Sequence, residues 1–267
     1  MSEVKLNKAV SRAIDILEFI SKQKDEVTLA TLSKELSLPK SSVFDIVHTL
    51  VEKKMLRFNE DAKSYLLDLK SFEIGNSYLS KNDVHTLALP YLKDISRQIR
   101  ATVFLAVENN GMIVYLDKVE GKSPTRTTCA IGDRNMMYCT GLGKAMLATY
   151  PIERIRYITG GGNLQPHTSY TLKTFNDLIK DLDSIRKRGY SIDNREDNEF
   201  VFCVACPILN ASEQCIAAIS ISCIYTESVA DRIEFYSQLI SSAALEISNR
   251  LGYLKPYLFV NESYKLF

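Results

Sequence analysis

Between residues 29 and 53 two short apolar-periodic segments flank a break, Ser37-Leu38-Pro39, and this break constrains the fold more than any other stretch. Proline fixes its own φ and has no amide hydrogen, so it suits the first turn of a new helix and not the interior of an old one. The segment before the break, about Thr31 to Leu36, is reached through Val27-Thr28-Leu29. The segment after it, about Lys40 to Lys53, sets Val43, Ile46, Val47 and Leu50 on one helical face. Ahead of both, Val10, Ala13, Ile14, Leu17 and Ile20 recur at helical spacing after Asn7, a competent N-cap. A support helix followed by two helices joined through a short turn is a helix-turn-helix arrangement. Met55-Leu56-Arg57-Phe58 and Tyr65-Leu66-Leu67 then flank a polar tip, which predicts a β-hairpin, or wing. Residues 71–81 read as a linker helix with Phe72, Ile74, Tyr78 and Leu79 available for packing.

Lys40, Ser41 and Ser42 open the third helix, where unpaired amides and the helix dipole favour an anion such as a DNA phosphate. Asp45, His48 and Thr49 face away from the apolar set, and Arg57 and Lys63 belong to the wing; all eight residues are assigned to contact double-stranded DNA. The plain alternative is a surface helix in an ordinary three-helix core, and the proline break combined with a wing weighs against it. The formal net charge is only +1, and residues 1–80 hold twelve Lys plus Arg against twelve Asp plus Glu. DNA binding must therefore come from local placement of charge.

After Asp83 the texture changes to mixed strands and helices. A helix is expected over Val84–Ile99, kinked at Pro90, then strands at Thr102–Val107 and Met112–Val119 around a Glu108-Asn109-Asn110-Gly111 turn. A strand near Arg126–Ile131 leads to a helix that opens at Thr140-Gly141-Leu142-Gly143-Lys144. Helices over Ile152–Ile158 and Thr174–Arg188, strands at Phe200–Leu209 and Gln214–Ile224, and a helix over Ser228–Leu251 complete an α+β plan with helices packed on an antiparallel sheet. The expected division is a winged helix-turn-helix in residues 1–70, a linker helix in 71–82, a second domain in 83–255 and a tail in 256–267.

Hydrophobic residues at 46% and charged residues at 24% describe an ordinary globular chain, with no apolar run of membrane-spanning length. The start, Met1 to Asn7, has no apolar core of a secretory signal, so a cytoplasmic location is expected. Six cysteines, all from Cys129 onward, then behave as small buried hydrophobes. Cys203 and Cys206 have CxxC spacing, but positions three apart on a strand point to opposite faces, poorly arranged for one zinc. Of the three histidines only His167 sits in a loop able to reach a thiol. Thr140-Gly141-Leu142-Gly143-Lys144 lacks the glycine spacing and the following hydroxyl of a phosphate loop. Arg126 and Arg134 suit either an anion or an ion pair. Neither catalytic residues, nor a metal, nor a cofactor are expected.

Several motifs occur in order along nearly the whole chain: Arg12-Ala13-Ile14-Asp15-Ile16-Leu17-Glu18, Leu38-Pro39-Lys40-Ser41-Ser42-Val43-Phe44, Tyr65-Leu66-Leu67 and Gly132-Asp133-Arg134. Thr140 to Ala148, Gly189-Tyr190, Asp193-Asn194-Arg195-Glu196 and Cys203-Val204-Ala205-Cys206-Pro207-Ile208 continue the series. In these the chain resembles the IclR family of transcription regulators. The resemblance implies a GAF-like C-terminal domain whose pocket takes a small organic acid, with Thr127, Gly141, Leu142, Asp193, Val201, Cys203, Ser220 and Ser222 as its members. It also implies a homodimer or homotetramer that reads a roughly palindromic operator as repressor or activator. The chemistry is consistent: amides at Gly141 and Leu142 can receive a carboxylate, and Ser220 and Ser222 alternate with Ile219 and Ile221 on one strand face. Residues 190–196 are similar to the branch concerned with sugar-acid catabolism, which points to 2-keto-3-deoxygluconate or a related acid. Two departures stand out: Asp45 where the family often has arginine, and Phe200 where it tends to have glycine. The competing readings are a small-molecule enzyme with a vestigial N-terminal domain and a zinc or redox sensor built on the C-terminal cysteines.

Overall fold

The computed structural model describes residues 6–80, 83–99, 101–122 and 129–259. The chain divides into two compact units, 1–81 and 82–267. In the first, α1 (Lys8–Ser21) starts where Asn7 Oδ1 accepts from the amides of Ala9 and Val10. β1 (Val27–Thr28) runs directly into α2 (Leu29–Glu35). This helix begins two residues before the expected Thr31 because Thr28 Oγ1 caps it, accepting from the Thr31 amide at 3.2 Å. The turn is tied by Ser33, whose Oγ donates to the Leu38 carbonyl at 2.6 Å. α3 (Lys40–Glu52) takes Pro39 at its N-cap position, with no side chain capping the first-turn amides. β2 (Leu56–Asn59) and β3 (Ser64–Leu67) form the wing, and β1 joins it in the order β1-β3-β2. Two residues are too few to display alternation, which is why β1 was not legible as a strand. Glu26 holds this sheet together, accepting from Asn59 Nδ2 at 2.9 Å and from Ser64 Oγ. α4 (Leu69–Ser80) follows.

Ile16, Ile20, Val27, Leu32, Val43, Val47, Leu56 and Tyr65 make the core of this unit. Each full burial of an aliphatic side chain contributes roughly 1.5–3 kcal/mol. Two α1 residues at helical spacing stay outside: Val10 is 57% exposed and Ile14 50%. α1 turns the face carrying Ile16 and Ile20 inward, so Val10 and Ile14, four residues apart, lie together on an exposed face. On α4, Leu69, Phe72 and Ile74 are likewise exposed, whereas the side chains of Tyr78 and Leu79 lie outside the described residues.

In the second unit α5 (Asp83–Ile99) carries Pro90 within it. β4 (Thr102–Asn109), β5 (Met112–Val119) and β6 (Arg134–Met136) form a meander, followed by α6 (Gly141–Leu147), α7 (Ile152–Ile158), α8 (Phe175–Arg188) and β7 (Ser191–Asn194). β8 (Val201–Leu209), β9 (Cys215–Ile224), α9 (Glu227–Ala230) and α10 (Ile233–Arg250) complete the fold. All its described strands join one antiparallel sheet in the order β6-β5-β4-β9-β8-β7. α10 covers one face, where Cys206 Sγ meets Ser241 Oγ at 3.2 Å; α6 lies over the other, where Gly141 faces Cys203 and Ala205. Three expectations need correction. Residues 129–131 are not a strand, residues 123–128 lie outside the described residues, and the edge strand is β6. The predicted helix over Ser228–Leu251 is broken after Ala230 into α9 and α10. β7 was not foreseen, its four residues being too short to stand out in sequence. Part of the expected tail is packed, with Leu258 and Phe259 both buried. Among the described residues no helix is long and apolar enough to cross a membrane.

Among the glycines Gly75 to Gly252 whose surroundings are described, the tightest is Gly143, where an added Cβ would sit 2.3 Å from the Met137 Cα and carbonyl oxygen. Gly143→Ala is therefore expected to destabilise the chain by about 1–3 kcal/mol, the usual cost of overpacking. Gly75→Ala on α4, where nothing lies within 4 Å, should instead stabilise by about 0.5–1 kcal/mol. Urea unfolding of the two variants beside the parent measures both signs.

Candidate functional site

On the first unit, the eight residues assigned to DNA sit on α3 and the wing. Lys40 and Ser41 are exposed at the first turn of α3, whose amides have no side-chain cap. Ser42 is half-buried and accepts from Arg12 Nη1 at 3.0 Å, which leaves its hydroxyl proton available and brings a second cation to the helix start. Arg12 was missed as a contact candidate, since its helical position gave no sign that it reaches α3. Asp45 and His48 are exposed, and the His48 ring lies 6.1 Å from that of Phe44. Thr49 is exposed too, but its hydroxyl donates back to the Asp45 carbonyl at 2.8 Å. Arg57 projects from β2, and Lys63 occupies the hairpin turn at a φ of +50°, its ammonium 5.8 Å above the Phe58 ring.

On the second unit, Gly141, Leu142, Asp193, Val201, Cys203, Ser220 and Ser222 line a single cavity of about 470 Å³. Thr127 lies outside the described residues. Strand alternation explains the grouping. Cys203 stands opposite Ser222 and Asp193 in the β-ladders, while Ser220 stands opposite Phe104 and Ala205. Ser222 Oγ accepts from Cys203 Sγ at 3.4 Å. At the mouth of α6 the Gly143 amide donates to Thr140 Oγ1 and the Lys144 amide to the Thr140 carbonyl. The earlier amides, Gly141 and Leu142, precede any intrahelical partner. Gly141 is needed for closeness, since a Cβ there would lie 3.2 Å from that of Cys203. The resemblance did not single out Phe104, Tyr115, Thr140, Asp197, Asn198 and Ile224, which also line the cavity. Phe200 lines it while 70% exposed, so its ring forms part of the rim and does not fill the interior.

The cavity walls are acidic. Asp193 is buried, accepts from the Glu196 amide at 2.7 Å, and has its pKa pushed up to about 8 by that burial and by the neighbouring Glu196 charge. It is therefore largely a neutral carboxylic acid near pH 7, able to donate as well as accept. Beneath it Lys144, on α6, is fully buried and reaches Asp181 Oδ2 at 2.8 Å and Glu196 Oε1 at 2.5 Å. Burial alone would lower the lysine pKa, but the two carboxylates outweigh it and keep the ammonium charged. This lysine serves the framework and not a phosphate. Arg134 is likewise structural: it donates to Asn109 Oδ1 at 3.0 Å and to the Asn109 carbonyl, clamping the β4–β5 turn.

Neither the CxxC pair nor a cysteine–histidine relay has the geometry it needs. Cys203 faces the cavity and Cys206 faces α10, so they share no ion. His167 lies near Cys139, with Nδ1 3.9 Å from Sγ, and that same nitrogen pairs with Asp197 Oδ1 at 2.9 Å. A nucleophile relay needs the thiol and the carboxylate on different ring nitrogens.

Comparisons with known proteins agree with this architecture. Residues 9–60 match the IclR helix-turn-helix domain, and residues 76–249 match the bacterial transcriptional regulator IclR C-terminal domain. The chain is 28% identical to the HTH-type transcriptional regulator KdgR of Escherichia coli K12, covering 92% of this chain and 93% of that one. It is 29% identical to the HTH-type transcriptional repressor AllR of the same strain, covering 91% and 90%. The crystal structure of Thermotoga maritima IclR superposes with a TM-score of 0.78 at 31% identity, covering 91% of this chain and 98% of that one. These relatives are regulators and not enzymes. With both of its units matched in order, the chain belongs to the IclR family of DNA-binding transcription regulators.

Proposed function

We propose that the protein binds an operator through α3 and the wing, and is controlled by a small hydroxylated organic acid, a sugar acid or keto acid, held in the cavity beneath α6. The observation that carries this reading is the polarity of the lining. Donors suited to a carboxylate (the Gly141 and Leu142 amides, Ser220, Ser222 and neutral Asp193) face acceptors suited to hydroxyls, Asp197 and Asn198. A volume of about 470 Å³ falls within the range of small-molecule sites. The exposed apolar side chains on α1 (Val10, Ile14) and α4 (Leu69, Phe72) support assembly into a dimer or tetramer, which a palindromic operator requires. Effector occupancy then biases the equilibrium between DNA-competent and DNA-incompetent arrangements.

On the DNA side, Lys40→Ala is expected to weaken binding to all sequences and to reduce the salt slope of log K by about one unit, because one phosphate contact is lost. Gel shifts across a salt series measure it, and an unchanged slope removes Lys40 from the interface.

On the cavity side, the double change Ser220→Ala and Ser222→Ala removes two hydroxyls without adding bulk. It should weaken effector binding by about 1.5–5 kcal/mol while folding and operator binding persist. Calorimetry with 2-keto-3-deoxygluconate and related acids reads the loss, and parental affinity in the variant would place the ligand elsewhere.

Asp193 adds a pH test. Its neutral form donates to a carboxylate and its ionised form repels one, so affinity should be steady below pH 8 and fall as pH rises through about 8. Asp193→Asn, permanently neutral, should flatten that fall; the same decline in the variant would exclude Asp193 as its source.

A further inference from the structure

We propose that Cys139, His167 and Asp197 bind one divalent transition-metal cation of the zinc type, with an open coordination position toward the cavity. The three donor atoms already converge. Cys139 Sγ lies 3.9 Å from His167 Nδ1 and 3.8 Å from Asp197 Oδ1, and the nitrogen and oxygen are 2.9 Å apart. Zinc bonds of about 2.3 Å to sulfur and about 2.0–2.2 Å to nitrogen and oxygen give tetrahedral edges of roughly 3.3–3.6 Å. Each pair must therefore shift by only a few tenths of an ångström. One thiolate, one imidazole and one carboxylate suit a borderline-soft ion, and three protein ligands leave a fourth position for a small molecule. The meeting of thiol and carboxylate on one ring nitrogen defeats a relay; an ion at their common focus would use it.

The supports around the three residues are those of a built site. Asn135 Nδ2 donates to Asp197 Oδ2 at 2.7 Å, which leaves Oδ1 facing the histidine and the thiol. The His167 amide donates to Thr171 Oγ1 at 3.0 Å, and that hydroxyl donates to the Glu196 carbonyl at 2.6 Å, fixing the histidine loop beside Asp197. Tyr138 meets the His167 ring edge-on at 6.2 Å and donates from its hydroxyl to the Gln165 carbonyl. Partners of this kind orient metal ligands and tune affinity.

The position also has a use. Asp197 and Thr140, the residue after Cys139, line the cavity, whose described lining contains Asp193 and Asp197 and neither lysine nor arginine. A dication there would give an incoming carboxylate an electrophilic partner. This link to the ligand rests on the effector reading above, while the metal site itself does not. On binding, the Cys139 thiol releases its proton to solvent and the His167 ring carries its one proton on Nε2, so that the sulfur and Nδ1 lone pairs form metal bonds with no change of oxidation state. The CxxC spacing in the sequence points to Cys203 and Cys206, with Cys215 and Cys223 downstream, and none of these is a ligand here.

Cobalt(II) titration of the full chain, stripped of metal by a chelator, tests the proposal. The expected result is a thiolate-to-cobalt charge-transfer band that saturates at one cobalt per chain and is displaced by zinc. Cys139→Ser should abolish the band, and Asn135→Ala should weaken cobalt binding by about 10–100-fold. Circular dichroism confirms that the variants are folded. A parent without the band, or a Cys139→Ser variant that keeps it, overturns the site. Saturating acetate should shift the visible cobalt bands, and bands that do not move overturn the open position. Because the readout is the metal's own absorption, a mistaken effector assignment leaves the result unchanged.

Discussion

The second unit is organised around a lysine that cannot reach water. Lys144 projects from α6 into the protein and is held by Asp181 of α8 and by Glu196, just past β7. A buried ammonium with two carboxylates is costly to break, because loss of one partner leaves charge stranded in a poorly polarisable interior. The pairing therefore fixes α6 against the segment that carries Asp193 and Asp197. One wall of the cavity is α6 itself, and the other residues follow from strand alternation once α6 is in place. Next to the buried lysine, Gly143 lets the helix lie directly on the Met137 backbone.

Much of this was legible because it rests on local rules. The proline break, the helical spacing of Val43, Ile46, Val47 and Leu50, and the Asn109-Asn110-Gly111 turn each encode geometry within a few residues. The family resemblance implied eight pocket members, and the seven among the described residues line one cavity although they are spread from Gly141 to Ser222. What stayed hidden depends on which side of an element faces inward. The α1 pattern included Val10 and Ile14 as readily as Ile20, and only packing against α3 and the wing separates them.

The convergence of Cys139, His167 and Asp197 was invisible for another reason. Its members lie 28 and 30 residues apart, on a helix approach, a loop and a strand exit. No periodicity connects such positions. The loop is brought in by Thr168 and Thr171, whose hydroxyls bond the carbonyls of Arg195 and Glu196, and by the Arg195 guanidinium lodged between the rings of Tyr170 and Tyr225. Side-chain-to-backbone bonds of this kind have no fixed sequence spacing.

The lengths of the outermost strands carry a consequence for solution behaviour. Among the described residues the large sheet ends in β6, three residues long, and β7, four residues long, whereas its inner strands run eight to ten. A long bare edge would offer unsatisfied amides and carbonyls to any passing β-strand and seed aggregation. Edges this short offer little to pair with, so the sheet is guarded against growing sideways into fibres. The exposed helical side chains of the first unit offer a different kind of surface, one that can bury apolar groups without adding backbone hydrogen bonds.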